Sequence, residues 1–153
     1  MNLAIGDKAP DFELPDQRGK NQKLSDLLGM KVLIYFYPRD FTPGCTKEAC
    51  SIRDAYSNFK KLKTKVLGIS KDTIESHKKF ADKYNLSFTL LADPDKKILE
   101  KYCVWQEKKF LGKTYMGIAR TSFLIDEKGR IIKIYKKVNP LYHVQEVLND
   151  LKN

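Results

Sequence analysis

Two cysteines dominate the chemistry this sequence can offer: Cys45 and Cys50, five positions apart in Thr42-Pro43-Gly44-Cys45-Thr46-Lys47-Glu48-Ala49-Cys50. A thiolate is a nucleophile and a metal ligand, and a pair of thiols can cycle through a disulfide. Thr42 is a good helix N-cap and Pro43 suits the first helical position, so Cys45 falls about three residues into a helix. There the unpaired backbone N–H groups and the positive end of the helix dipole favour thiolate, with the Thr42 hydroxyl in reach of the same turn. An isolated cysteine is more often a small buried hydrophobe. The helix-start placement and the neighbouring thiol reverse that preference.

The spacing constrains what the pair can do. In an undistorted helix, five residues give about 140° of rotation and leave the Cα atoms about 8.7 Å apart. A disulfide wants about 4.4–6.8 Å. If Cys45 and Cys50 bond, the first turns must unwind, and unwinding is easiest at a helix terminus. Cys45 shares a face with Ala49 and Ile52, whereas Cys50 lies nearer Arg53, Asp54 and Ser57. A zinc site from Cys45, Cys50, Cys103, His77 and His143 is disfavoured, because ligands spaced this way in one helix splay apart and neither histidine follows a ligand spacing.

The elements that must position Cys45 are legible around it. Lys31–Tyr37 is a dense β-branched and aromatic run closed by Pro38, as expected of a strand covered on both faces. The helix after it buries Cys45, Ala49, Ile52, Tyr56 and Phe59, spaced by fours and threes. Val66–Ser70 is the next strand and completes a βαβ unit, at whose carboxyl end open α/β sheets place their sites. Asp72 or Thr73 caps a second helix with Ile74, His77, Ala81 and Tyr84 inward. Ser87–Leu91 is a short strand, and Asp93-Pro94 opens a short helix reaching about Tyr102. Thr121–Ile125 and Arg130–Tyr135 flank Asp126–Gly129 as a hairpin. Asn139-Pro140 caps a last helix with the stripe Leu141, Val144, Val147/Leu148 and Leu151. Residues 8–24 read as an irregular opening before a helical turn at Ser25 or Asp26 that ends at Gly29. Residues 103–117 show no period. The order predicts one α/β domain over residues 1–153, a mixed sheet flanked by helices.

Its 153 residues suffice for one core that buries roughly 70% of the unfolded chain's surface, without disulfide staples or structural metal. No apolar run approaches the roughly 20 residues that span a bilayer, and the N-terminus is not a signal peptide, so a cytoplasmic protein is expected. The net charge of +10 is concentrated in residues 96–137, with 12 Lys/Arg against 4 Asp/Glu. Such a stretch, with Tyr102, Trp105, Phe110 and Tyr115, suggests a nucleic-acid footprint. Lysines dominate it, however, and no Arg cluster or Gly-rich RNA signature appears, which favours a solvated lysine-rich surface.

Pro38-Arg39-Asp40-Phe41-Thr42-Pro43-Gly44-Cys45 carries the Pro-x-x-x-Thr-x-x-Cys pattern of peroxiredoxins, and Cys50 resembles the second cysteine of the peroxiredoxin Q group, also called bacterioferritin comigratory protein. The similarity extends through Ala9–Phe12, Gly68–Ser70, Ser76-His77, Phe80, Lys83-Tyr84, Gly117-Ile118 and Arg120–Asp126. It implies a thioredoxin-like fold and a thiol peroxidase acting on hydrogen peroxide and organic hydroperoxides without metal, haem or flavin. Cys45 would be the peroxidatic cysteine, Thr42 would hydrogen-bond thiolate and peroxide, and Arg120 would supply positive charge. Pro38 would shield the sulfenate, and Cys50 would resolve it to an intramolecular disulfide reduced by a thioredoxin-type protein. Glu48 either orients an arginine there or is an exposed helix carboxylate. Cys103 stands where the resemblance leads one to expect Gly or another small residue, and it reads as a bystander. A monomer is expected, or at most a weak homodimer. Two rivals remain: a thiol-disulfide oxidoreductase, though these normally use Cys-x-x-Cys, and a basic nucleic-acid-binding protein with incidental thiols.

Overall fold

The computed structural model describes residues 2–153. The opening is ordered rather than irregular. Glu13–Pro15 (β1) and Asn21–Lys23 (β2) pair antiparallel. Their turn is closed by the Asp16 carboxylate, which accepts from the Arg18 and Lys20 N–H groups and the Gln22 amide. Strands of three residues have no period to read; the turn chemistry of Asp16 and Gly19, the latter at φ +80°, was the available signal. A 3-10 turn at Leu24–Leu27 follows, with Gly29 at φ +99°.

Lys31–Phe36 (β3), Pro43–Lys61 (α1), Thr64–Ser70 (β4), Ile74–Tyr84 (α2) and Thr89–Ala92 (β5) form the expected βαβαβ run, with β3, β4 and β5 parallel. Thr73 caps α2 by accepting from the Ser76 N–H. Ile74 is exposed rather than inward, and Phe80 fills the core in its place. Lys97–Lys101 (α3) starts later than Asp93-Pro94 suggests. Asp93 does act as its cap, but from beyond a turn, its carboxylate accepting from the Ile98 and Leu99 N–H groups at 2.9 Å each.

Where residues 103–117 show no period, the structure has a hairpin of Trp105–Phe110 (β6) and Lys113–Ile118 (β7). These strands pair only with each other and are mostly exposed, so no buried face imposes alternation. Thr121–Ile125 (β8) and Ile131–Lys136 (β9) form the expected hairpin. The last helix, His143–Lys152 (α4), begins after Asn139-Pro140, not at it. Asn139 instead closes a turn, accepting from the Leu141 N–H on its side chain and the Tyr142 N–H on its carbonyl. Leu141 therefore lies outside the stripe and is exposed. The basic excess of residues 96–137 is spread over α3, β6, β7 and β9 rather than lining one element.

The main sheet has the order β5-β4-β3-β8-β9, with β8 antiparallel to β3, which gives the mixed α/β architecture expected. Alternation along β3 builds two cores. Leu33, Tyr35 and Tyr37 pack with Cys45, Ala49, Ile52 and Phe59 of α1, Phe80 of α2 and Val147 of α4. Val32, Ile34 and Phe36 pack on the opposite face with Phe12, Leu14, Leu99 and Tyr102.

One pairing is sterically tight. Gly68 sits beside Tyr35 in register, and a Cβ there would lie 2.7 Å from the Tyr35 ring and 2.8 Å from its hydroxyl. That hydroxyl is the one buried side-chain polar atom without a hydrogen-bond partner among the described residues. Gly68→Ala is expected to destabilise the protein by about 2 kcal/mol, since the fully packed ring has no room to yield. Urea denaturation measures this; an unchanged midpoint contradicts it.

Candidate active site

Sheet register explains how residues distant in sequence meet. Phe36, near the carboxyl end of β3, pairs with Thr121, the first residue of β8. The chain leaving β3 at Pro38 and the chain entering β8 from Arg120 therefore share one end of the sheet. Pro38 is half-buried there, and residues 38–42 lead directly into α1.

Thr42 holds the N-cap position with extended backbone, φ −78° and ψ 152°, but its side chain does not cap. Oγ1 donates instead to the Arg39 carbonyl at 2.8 Å, which corrects the expected hydroxyl-to-helix contact. The hydroxyl has one proton, and spending it on Arg39 leaves its lone pairs for another donor. The helix opens with the Thr46 N–H on the Thr42 carbonyl.

Cys45 faces inward and is 1% exposed. Arg120 reaches it across the helix start, its Nη2 donating to Cys45 Sγ at 3.0 Å while Nη1 donates to Glu48 Oε1 at 3.3 Å. Gly44 makes this approach possible. A Cβ at that position would lie 2.9 Å from Arg120 Nη2 and 3.6 Å from Pro140. No local pattern reports this duty of Gly44, because the residue it makes room for lies 76 positions away.

Glu48 is buried, not an exposed helix carboxylate, and Arg120 is its partner. Burial pushes its carboxyl up to about 7, against the pull of Arg120. Cys50 lies on the other side of an unbroken α1, half-buried, and is not bonded to Cys45. The structure thus joins Cys45, Glu48 and Arg120, sets Thr42 at the same helix start, and holds Cys50 apart. Cys103 follows α3 at φ +61°, a left-handed conformation natural to glycine. Its neighbours Tyr102 and Val104 belong to the core on the opposite sheet face from Cys45. His143 is buried at the start of α4, bonded to the Ser122 hydroxyl, and burial lowers its pKa.

Residues 5–134 match the AhpC/TSA family. Peroxiredoxin Bcp of Bacillus subtilis is 49% identical over 153 residues, covering 100% of this chain and 98% of its own. Among solved structures, a cysteine mutant of Xylella fastidiosa PrxQ superposes with a TM-score of 0.94 at 31% identity, over 99% and 97% of the two chains. The bacterioferritin comigratory protein of Xanthomonas campestris gives 0.88 at 34% identity, over 92% and 90%. With these neighbours, the mixed sheet and its flanking helices are a thioredoxin-like fold.

Glu48 carries a pH signature. An unfolded chain releases this proton near pH 4.5, whereas the folded one holds it until about 7. Between those values only the folded state is protonated, so stability falls as pH rises, by about 3 kcal/mol across the window. Glu48→Gln is expected to flatten that part of the profile in urea denaturation of the reduced protein. Parallel profiles of wild type and variant between pH 4.5 and 7.5 contradict the assignment.

Proposed function

The chain belongs to the AhpC/TSA family and is a thiol-dependent peroxidase of the peroxiredoxin type, and on that premise we propose that Cys45 is its peroxidatic cysteine. The observation that carries this reading is the Arg120 guanidinium bridging Cys45 Sγ and Glu48 at the start of α1. A fixed cation sits on that one sulfur, at the end of the helix where the dipole is positive.

The thiolate attacks one peroxide oxygen. An S–O bond forms as the O–O bond breaks, and the leaving oxygen takes a proton to become water or an alcohol. Arg120 stabilises the charge moving onto that oxygen. Thr42 Oγ1, its proton held by the Arg39 carbonyl, accepts a hydrogen bond from the peroxide O–H. Pro38 covers the site and shields the sulfenic acid from further oxidation. The Cys50 thiolate then attacks the sulfenic sulfur, expelling hydroxide and forming the disulfide. Since α1 is unbroken across both cysteines, its first turns unwind in this step.

Substrates in this reading are hydrogen peroxide and organic hydroperoxides; the Xanthomonas campestris relative has an alkyl peroxide reduction activity. A thioredoxin-type dithiol protein reduces the disulfide. The protein works as a single-domain monomer in the cytoplasm, a reducing compartment in which the Cys45–Cys50 pair returns to its dithiol form. No described helix is long and apolar enough to cross a membrane.

Cys45→Ser is expected to abolish peroxide consumption with dithiothreitol as sole reductant; normal turnover by that variant ends the assignment. Cys50→Ser is expected to retain one stoichiometric oxidation and lose recycling by thioredoxin. Unwinding has its own readout. Amide exchange at residues 43–52 is expected to accelerate in the disulfide form, and identical protection in both redox states contradicts it.

A further inference from the structure

The loop ahead of the helix contains a buried acid that the chemistry above does not use. Asp40, 4% exposed, stands between Pro38 and Thr42. Its Oδ1 accepts from the Tyr37 hydroxyl at 2.6 Å, and its Oδ2 from the Ser76 hydroxyl at 2.8 Å. His77 Nδ1 lies 2.7 Å from the same Oδ2, while its Nε2 lies 3.0 Å from the Leu91 carbonyl. The Asp40 N–H donates to Asp72 Oδ2, which also accepts from the Ser70 hydroxyl.

Asp40, Asp72 and His77 bring their ligand atoms within 4.8 Å of one another, a spacing open to a metal reading. The hydrogen bonds argue otherwise. A carbonyl only accepts, so His77 Nε2 carries a proton, and Nδ1 shares one with the Asp40 carboxyl. Neither ring nitrogen is free to ligate. The cluster is a closed hydrogen-bond network, and its outward effect is on the loop.

The same loop has a second anchor on the same helix. Phe41 adopts φ +66°, which for a bulky residue costs about 1 kcal/mol and persists only where its surroundings enforce it. Its ring packs against Phe80 at 5.0 Å and Tyr84 at 6.4 Å. Ser76, His77, Phe80 and Tyr84 all lie on α2. None of these contacts involves α1, so they survive when its first turns unwind.

We propose that His77 is a positioning residue for peroxide reduction: from inside α2 it holds Asp40, and through Asp40 it sets the loop that carries Pro38 and Thr42. The proposal rests on the reading of Cys45 and Thr42 given above. His77 is fully buried and never meets substrate. It differs from a purely structural histidine in which reaction it should control. Attack on a peroxide needs the oxygen placed in line with sulfur, with Thr42 and Arg120 around it. Alkylation of the same thiolate by iodoacetamide needs none of that placement.

Two amides separate the two ring nitrogens of the full-length reduced protein. His77→Asn keeps an N–H donor where Nδ1 faces Asp40, and His77→Gln keeps one where Nε2 faces Leu91. The rate constant of Cys45 with hydrogen peroxide is expected to fall about tenfold or more in His77→Gln and to stay within about threefold in His77→Asn, as displacements below 1 Å allow. Alkylation of Cys45 by iodoacetamide is expected to change by less than about twofold in both. Equal peroxide losses in the two variants, or peroxide and alkylation rates falling together, overturn the proposal. If neither variant folds, Ser76→Ala decides, since it removes one donor to Asp40 from the rim of α2. A loss of about threefold on peroxide alone is expected there, and no selective loss overturns the proposal. Peroxide turnover by Cys45→Ser would instead sink the reading of Cys45, whatever the His77 variants do.

Discussion

The guanidinium of Arg120 is divided between a thiol and a buried carboxyl, and the rest of the site follows from that division. A guanidinium has five N–H donors and no acceptor, so moving it against the helix start requires acceptor groups there. Glu48, three residues beyond Cys45, supplies one from the same helix face, while the second arm of the guanidinium remains on sulfur. The geometry dictates the small residue at 44. It also dictates the antiparallel pairing of β8 with β3, which carries position 120 to the sheet end where Pro38 begins the loop. In the proposed mechanism, a cation reaching the helix from outside its own element orients the sulfur without constraining how the helix later moves.

Glu48 has a further effect on that movement. Its carboxyl is desolvated only while the first turns of α1 are wound, and burial is what raises its pKa toward 7. Above that value the wound helix holds an ionised carboxylate out of water with one long hydrogen bond at 3.3 Å. Unwinding returns it to solvent. In the proposed mechanism, the group that fixes Arg120 for attack on peroxide therefore also weakens the wound state, the state that keeps Cys50 out of reach. Deeper in α1, Ile52, Tyr56 and Phe59 are anchored in the core, which confines the unwinding to the end where the cysteines lie.

Periodicity made some of this legible and hid the rest. The stripe Cys45, Ala49, Ile52, Tyr56 and Phe59 is buried as its spacing requires, because nineteen helical residues repeat the same signal several times. The run at 31–37 is the central strand for the same reason. The β1–β2 and β6–β7 hairpins escaped because short or exposed strands impose no alternation. Thr42 escaped differently: its place at the helix start was legible, but its hydroxyl turns back to Arg39, and hydroxyl rotamers leave no trace in spacing. Glu48 was open between solvent and Arg120, since only a partner 72 residues away could decide it. His77 was legible as an inward residue of α2, but its role depends on Asp40, 37 positions earlier, which no local pattern reports.

The resulting site consists of two parts with different mechanical duties. Residues 38–42 are tied to α2 by Asp40 and Phe41 and to the end of β4 by Asp72. The start of α1 is tied to Arg120 through the two side chains that the reaction itself alters or exposes. A peroxidase that resolves within one helix needs this asymmetry. If the loop moved with the helix, each cycle would have to rebuild Thr42 and Pro38 from a disordered segment before the next peroxide could be aligned. If the helix were held as firmly as the loop, Cys50 would stay on its far side and the sulfenic acid would wait for a second peroxide. In the proposed mechanism, oxidation of Cys45 replaces the thiolate facing Arg120 by a neutral group, so the bond holding the helix start weakens at the step that requires its release. The loop, whose anchors include neither sulfur nor Arg120, is unaffected by that change.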